Sequence, residues 1–392
     1  MRRRLRSLAA NLEGGDPYLA LAVGVLLFIG IPVVWGAGGY ARGAAGTPLG
    51  QHFILAKHLF MIGVGLIVML VLASTDHGVW RIRWLNRTLL VLSLGLMAWT
   101  LRHGPGLLTG HISRWVNVGG FQLQPVEPAK LAAIAVMAQL LTCQPRHGPL
   151  GGRQVAAALL GGFLPLVTML ILQPNFGNVL VITGVTLVML FVAGIPLRWL
   201  AGLTLVPAGG MALAFAVVPK LRERLTDWIA ALGSGDYQYQ VWQSIVGLGA
   251  GGWKGLGPGQ SHNKFSFLPE SHTDFAFSVL GEEWGLFGTL LVISMVVVIA
   301  WRGYGIAARA PEAFGRVTAA GLTTALVIYA VANIGMVTGV LPVIGVPLPF
   351  VSYGGTAMVG ALAAIGILMN IERGARSREV ERKRWLRRGW SA

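Results

Sequence analysis

Residues 274–300 read DFAFSVLGEEWGLFGTLLVISMVVVIA. Beyond Glu283 the run carries no charge until Arg302. A helix needs about 20 apolar residues to cross the ~30 Å hydrocarbon core of a bilayer. The stretch is long enough to cross, and the three acidic residues at its start are costly there without a partner or a cavity. Similar apolar runs lie near 18–36, 53–74, 86–102, 127–142, 154–172, 178–195, 199–218, 317–339 and 349–371. The expected fold is therefore all-α, a polytopic membrane protein with about ten transmembrane helices.

Composition agrees with the runs. Of 392 residues, 54% are hydrophobic and 12% charged, with a mean hydropathy of +0.66. A soluble domain carries about twice that charged fraction. The single cysteine, Cys143, excludes an intrachain disulfide and a zinc cluster built on cysteines. The net charge of +16 would suggest nucleic acid in a soluble protein. Here the charges sit between apolar runs, so they report topology and no nucleic-acid partner is expected.

Basic residues choose the orientation. With the N-terminus inside, cytoplasmic segments hold Arg2, Arg3, Arg4 and Arg6, then Arg81, Arg83 and Arg87, then Arg146, Arg153 and Arg198. Arg302, Arg309 and Arg316 and the arginine-rich tail from Arg373 to Arg388 follow. The expected placement is a bacterial cytoplasmic (inner) membrane, multi-pass, with both termini cytoplasmic. Residues 1–17 read as a cytoplasmic N-terminal segment, 18–371 as one membrane domain and 372–392 as a basic cytoplasmic tail. The first run has no small-residue cleavage site after it and reads as a retained anchor. The tail, with Trp385 and Trp390, reads as a solvated positive flank or a segment lying on anionic membrane lipids.

Two external segments carry the polar chemistry: about 103–126, and a large loop of about 219–273 between the seventh and eighth helices. Long loops in compact membrane proteins are commonly functional. The glycine run from Gly247 to Gly259 lacks the Gly-Lys-Ser/Thr end of a nucleotide loop and reads as a tight turn with close backbone packing. Pro269 breaks helix before Thr273 and Asp274, and either residue is placed to cap the helix that Phe275 opens. The other reading of Asp274 is a general base at the membrane surface. Glu282 lies two turns further on and calls for a cavity or a partner. Glu127 and Lys130 are spaced to pair on one helix. Alternatively, Arg114 and Lys130 line a diphosphate site, with Trp115 at the lipid boundary. Gln173–Asn178 reads as a tight turn, and Pro349 with Gly354 and Gly355 as a broken entry to the last helix.

Eight separated motifs stand in one order: Arg114-Trp115, Gln124-Pro125-x-Glu127-x-x-Lys130, Gln173-Pro174-x-x-Gly177, Gln240-x-x-Gln243-Ser244, Leu268-Pro269-Glu270-x-His272-Thr273-Asp274-Phe275, Gly281-Glu282-Glu283, Asn333-Ile334-Gly335-Met336 and Leu348-Pro349-Phe350-x-Ser352-Tyr353-Gly354-Gly355. In this set the chain resembles the SEDS family (shape, elongation, division and sporulation), which includes FtsW and RodA. The likeness covers the chain from the first apolar run to the tenth. It implies a ten-helix peptidoglycan glycosyltransferase that polymerises lipid II, the undecaprenyl-pyrophosphate-linked disaccharide pentapeptide. It also implies a class B penicillin-binding protein as transpeptidase partner, and a role in cell division or elongation.

The aspartate of the family's His-Thr-Asp-Phe motif falls on Asp274, the implied catalytic residue. It would deprotonate the 4-hydroxyl of an acceptor sugar, which attacks the anomeric carbon of the donor and releases undecaprenyl pyrophosphate. The implied substrate-binding set is Arg114, Trp115, Glu127, Lys130, Arg222, Gln243, Ser244, Lys264, Glu270, His272, Thr273, Glu282 and Ser352. Arg114, Lys130, Arg222 and Lys264 would meet the diphosphate, with or without a divalent cation, Mg or Mn; no other cofactor is expected. Two rival functions remain open: a lipid II flippase and a non-catalytic scaffold that activates the transpeptidase. The chain departs from the family at Val126, Pro128, Asn175 and Asn178, and Asn175 replaces a carboxylate. Gly255–Ser261 with Lys264 looks like the division branch, FtsW, and Gly345–Pro349 like the elongation branch, RodA; the balance leans to FtsW.

Overall fold

The computed structural model describes residues 16–38, 48–75, 78–103, 114–118, 121–143, 151–217, 219–264 and 268–389. The expected readings of residues 1–15 and 390–392 lie outside them. Twelve helices follow: α1 (Pro17–Gly38), α2 (Pro48–Ser74), α3 (Arg83–His103), α4 (Val126–Leu141), α5 (Gly152–Leu172), α6 (Phe176–Val192), α7 (Leu197–Val217), α8 (Pro219–Ser234), α9 (Tyr239–Gly251), α10 (Ala276–Arg309), α11 (Ala313–Val337) and α12 (Thr356–Gly389). Each of the ten apolar runs overlaps one of these helices, though not every run is helical over its full length. Among the described residues, seven helices are long and apolar enough to cross a membrane: α1, α2, α3, α5, α10, α11 and α12. By contrast, α4 has 16 residues and α6 has 17.

Local rules explain the ends. Pro17 opens α1 where its missing N–H costs nothing, and the Asp16 carboxylate accepts the N–H groups of Tyr18 and Leu19 at 3.0 and 3.2 Å. The tenth apolar run starts at 349, but its helix begins only at Thr356. Before it, Phe350 takes a φ of 66° and the Ser352 hydroxyl accepts the Leu348 N–H at 3.0 Å. That turn lies on Gly30 of α1, where a Cβ would sit 2.8 Å from the Val351 carbonyl.

The core forms where α11 and α12 are covered. α12 packs along α2, α10 along both α11 and α1, α11 on α6, and α3 on α4. Ala319, Ala320, Leu362, Ile365 and Leu368 are buried there, while Phe28, Ile67, Val91, Trp199 and Leu205 are exposed. Exposed apolar side chains on outer helices suit a hydrocarbon solvent.

The segment 219–273 is not a plain loop, as the sequence suggested. It contains α8 and α9, because Leu225, Trp228, Ile229 and Leu232 recur at helical spacing in the first. The segment 103–126 contains an antiparallel ribbon, Val116–Val118 (β1) with Phe121–Leu123 (β2), pairing Val116 with Leu123.

α10 is not continuous. At Gly285 the backbone turns to φ 64° and ψ −160°, and the glycine-rich segment docks at that break. The N–H groups of Leu256 and Gly257 bond to the carbonyls of Glu282 and Glu283 at 2.9 and 3.0 Å, and the Leu286 N–H bonds to the Gly252 carbonyl at 2.9 Å. Gly255 allows this, since a Cβ there would lie 2.1 Å from the Glu283 carbonyl.

Candidate active site

At one end of the bundle, the β1–β2 ribbon, α2, α4, the 268–275 turn and the 345–355 segment enclose a polar cavity of about 550 Å3. Asp274, Arg114, Trp115, Glu127, Glu270, His272 and Thr273 all line it. Leu268, Phe275 and Phe277, each at most 2% exposed, anchor the turn that carries Asp274. Glu270 takes a φ of 57°, and its carbonyl accepts the N–H groups of Thr273 and Phe275 at 3.1 and 3.2 Å. Asn333 of α11 fixes the turn from beneath. Its amide donates to the carbonyls of Asp274 and Val346, both at 2.7 Å.

The capping role expected for Thr273 or Asp274 is not found. The residue at the cap of α10 is Phe275, and no side chain bonds the helix N–H groups there. The Thr273 hydroxyl instead donates to Glu270, to its carbonyl at 3.2 Å and its carboxylate at 3.0 Å. The Asp274 carboxylate takes no hydrogen bond among the described residues and is partly open to the cavity. Burial, reinforced by the charge of Glu270 and opposed by Arg114, pushes its pKa from 3.8 up to about 6.

Arg114 is held by donating to the carbonyls of Gln173 and Pro174 at 3.1 and 2.7 Å. The turn at 173–178 thus serves as its clamp. Burial and the neighbouring charge of Arg224 push the Arg114 pKa down, and Asp274 opposes them. Arg114 thus brings a clamped guanidinium to the cavity wall beside Asp274 and Glu270, and its planar fork suits an oxyanion. His272 is pushed down by burial, with Glu270 opposing, so it is a neutral wall beside the Tyr353 ring 5.8 Å away.

The cavity floor is a buried polar chain. Lys130 Nζ meets Glu127 at 2.8 Å and donates to the Tyr329 hydroxyl; that hydroxyl donates to Asn178, whose amide donates to Asn175 at 2.9 Å. Lys130 therefore lies under the cavity and lines an adjoining apolar pocket with Ser352. Glu127 and Lys130 pair as their spacing suggested.

Other sequence candidates lie elsewhere. The Glu282 carboxylate accepts the Ser261 hydroxyl at 2.5 Å and the N–H groups of His262 and Asn263 at 2.9 and 3.2 Å. Lys264 lies 3.7 Å from Glu283 and donates to the Gly259 carbonyl. Gln243 and Ser244 are on α9: the Gln243 carbonyl accepts the Asn263 amide at 3.0 Å and the Ser244 hydroxyl donates to the Val337 carbonyl at 2.7 Å. Arg222 is exposed on α8, whereas Arg224 reaches the Val343 carbonyl at 3.5 Å.

The implied site set left out Tyr353 and Asn178, which also line the cavity, and Asn333 behind it, and sequence reasoning missed Lys57 and Tyr329 altogether. Lys57 had a signal, a cation inside an apolar run. Among the described residues no group of three or more His, Cys, Asp or Glu gathers as a metal cage. The cavity carboxylates left by the Glu127–Lys130 pair are Glu270 and Asp274, which suits an ion that takes most of its oxygens from a phosphate.

The chain is 35% identical to stage V sporulation protein E of Bacillus subtilis over 363 residues, covering 91% of this chain and 95% of that one. It is 33% identical to peptidoglycan glycosyltransferase MrdB of Escherichia coli K12, covering 91% and 93%. In structure it resembles a chain of a peptidoglycan synthase complex described as coordinating polymerization and crosslinking. The TM-score is 0.72 at 27% identity, over 92% of this chain and 98% of that chain. Residues 17–377 match the FtsW/RodA/SpoVE family of cell cycle proteins, and the chain belongs to that family.

Proposed function

We propose that the cavity around Asp274 is where this chain, a peptidoglycan glycosyltransferase, joins two lipid II molecules, with Asp274 as general base. The observation that carries the assignment is a carboxylate on the cavity wall, without a hydrogen-bond partner among the described residues, with its pKa raised to about 6. Such a group is mostly ionised at neutral pH yet basic enough to take a proton.

The acceptor's sugar hydroxyl loses its proton to Asp274, and the oxygen attacks the anomeric carbon of the donor. The bond from that carbon to the pyrophosphate oxygen breaks, and undecaprenyl pyrophosphate leaves. Arg114, clamped by two carbonyls and seconded by Arg224, is the group we assign to the developing charge. Lys130 acts through Glu127 and Tyr329 by fixing the floor. A magnesium or manganese ion bound to the diphosphate would add positive charge there, and Glu270 is a lining carboxylate that could help to hold it.

The transpeptidase partner we assign is a class B penicillin-binding protein. The likeness to a chain of a synthase complex supports it. We place the chain in the bacterial cytoplasmic membrane with both termini cytoplasmic. Asp16 meets Arg302, and Glu372 meets Arg309, so α1 starts and α12 continues at the end of the bundle away from Asp274. Arg81, Arg302, Arg309, Arg376 and Arg378 gather at that end, as a cytoplasmic face requires.

The test is polymerisation of lipid II by the purified full chain with its cognate transpeptidase. Glycan strands from the native protein and none from Asp274→Ala support the assignment. Strands of normal yield from Asp274→Ala overturn it.

A further inference from the structure

The end of the bundle away from Asp274 holds a second large polar cavity, about 440 Å3, between the last turns of α10 and the emerging part of α12. Arg302, Arg309, Arg376, Arg378, Glu372 and Ile306 are among its walls. Among the described residues the carboxylates at this end are fewer than the arginines. Asp16, fully buried, pairs with Arg302. Glu372 is shared between Arg376 at 2.7 Å and Arg309 at 3.8 Å. Glu312 is shared between Arg378 and, at 3.1 Å, Arg81. Three carboxylates thus face five guanidiniums.

The side chains of Arg309, Arg376 and Arg378 stay 53%, 46% and 52% exposed, so they keep donors for a further oxyanion. A solvated positive flank needs no cavity and no shared carboxylates; this arrangement has both. One turn deeper, α10 exposes Trp301 (62%), Tyr304 (38%) and Val297 (59%). Exposed tryptophan and tyrosine next to an apolar strip mark the headgroup level of a bilayer.

We propose that this arginine cavity binds the phosphate of an anionic phospholipid, with the acyl chains lying along the Val297–Tyr304 surface of α10. Planar guanidiniums match phosphate oxygens in a two-point fork, and a basic recess between helices is the form such sites take. The bound lipid would tie α12 to α10 just where α12 leaves the core. This goes beyond the glycosyl-transfer reading and does not depend on it.

The test is native mass spectrometry of the full chain in detergent with phosphatidylglycerol or phosphatidylcholine, paired with thermal unfolding. The native protein should retain phosphatidylglycerol selectively and unfold at a higher temperature with it. The double variant Arg309→Gln/Arg376→Gln should bind it roughly ten- to a hundredfold more weakly, as expected for losing charged hydrogen bonds. Arg376→Lys keeps the charge but not the fork, and should also weaken retention. It serves if the double variant does not fold. The control Arg153→Gln/Arg198→Gln, at exposed arginines elsewhere, should retain the lipid fully. Equal retention of both lipids overturns the proposal, as does equal loss in the control. Displacement by millimolar inorganic phosphate would show a soluble-anion site and overturn it too.

Discussion

Two groups of acidic residues flank the first turns of α10, and the structure treats them in opposite ways. Asp274 precedes the helix and faces the cavity, its carboxylate unbonded among the described residues. Glu282, two turns on, is 2% exposed and receives a hydroxyl and two backbone N–H groups from Ser261, His262 and Asn263. Sequence reasoning set both in one candidate site, since both are ionisable groups at the edge of an apolar run. The difference is where the hydrogen bonds go. A carboxylate whose lone pairs are taken holds a loop; one whose lone pairs are open, in a recess beside arginines, is free to take a proton.

The sharpest way to break this contrast is to remove each charge in turn. Asp274→Ala should lower the polymerisation rate by about 10²–10⁴. Asp274→Asn should be equally inactive but slightly more stable at neutral pH. The sign follows from the shift. A carboxyl whose folded pKa is raised contributes its stability below the unfolded value of 3.8, and that contribution is lost as pH rises through about 6. The neutral amide escapes that loss, so its apparent Tm at pH 7.5 should exceed the native one, on the order of 2 °C. Near pH 3.5 the two should coincide. An Asp274→Asn protein less stable than native at pH 7.5 would make the residue a structural anchor after all.

Glu282→Gln should do the reverse. It leaves a buried amide facing N–H groups, at a cost of about 2–3 kcal/mol. Its apparent Tm should fall, and any loss of rate should follow the loss of folded protein. Smaller, at about 2 kcal/mol, is the expected cost of Gly255→Ala. That glycine has a φ of 80° and no room for a Cβ against the Glu283 carbonyl. Native stability in Gly255→Ala would mean that the docking of the glycine segment on the α10 break contributes nothing.

The fold was legible wherever apolar runs speak for themselves, and α1, α2, α5, α10 and α11 stand where the runs lie. The helices α8 and α9 were hidden because Gly235 and the glycine run frame them like a loop. Asp274 was legible from Pro269 and the helix start, and Glu270 and His272 from the family resemblance. Tyr329 was not: it is one polar residue within an apolar run, and only the packing shows that it touches Lys130 and Asn178. Asn333 stood in a family motif, but its hold on the Asp274 and Val346 carbonyls shows only in the structure. The glycine run announced close backbone packing, but its partner at Gly285 was hidden, since the docking joins backbone groups about thirty residues apart and no side-chain pattern records it.

The subtlest expectation concerns charge inside the cavity. If Asp274 is the base, the rate should rise with pH through an acid limb near 6 and level off above it. The two charges that act on Asp274 push in opposite directions. Glu270 raises its pKa and Arg114 lowers it. Glu270→Gln should therefore move the limb to lower pH, and Arg114→Gln should move it to higher pH, each by less than about one unit through a partly solvated site. Arg114→Gln should also lower the plateau, because it removes the cation assigned to the leaving diphosphate, whereas Glu270→Gln should leave most of it. Limbs that move in the same direction, or not at all, would mean that the titrating group is not Asp274, even if Asp274→Ala is inactive.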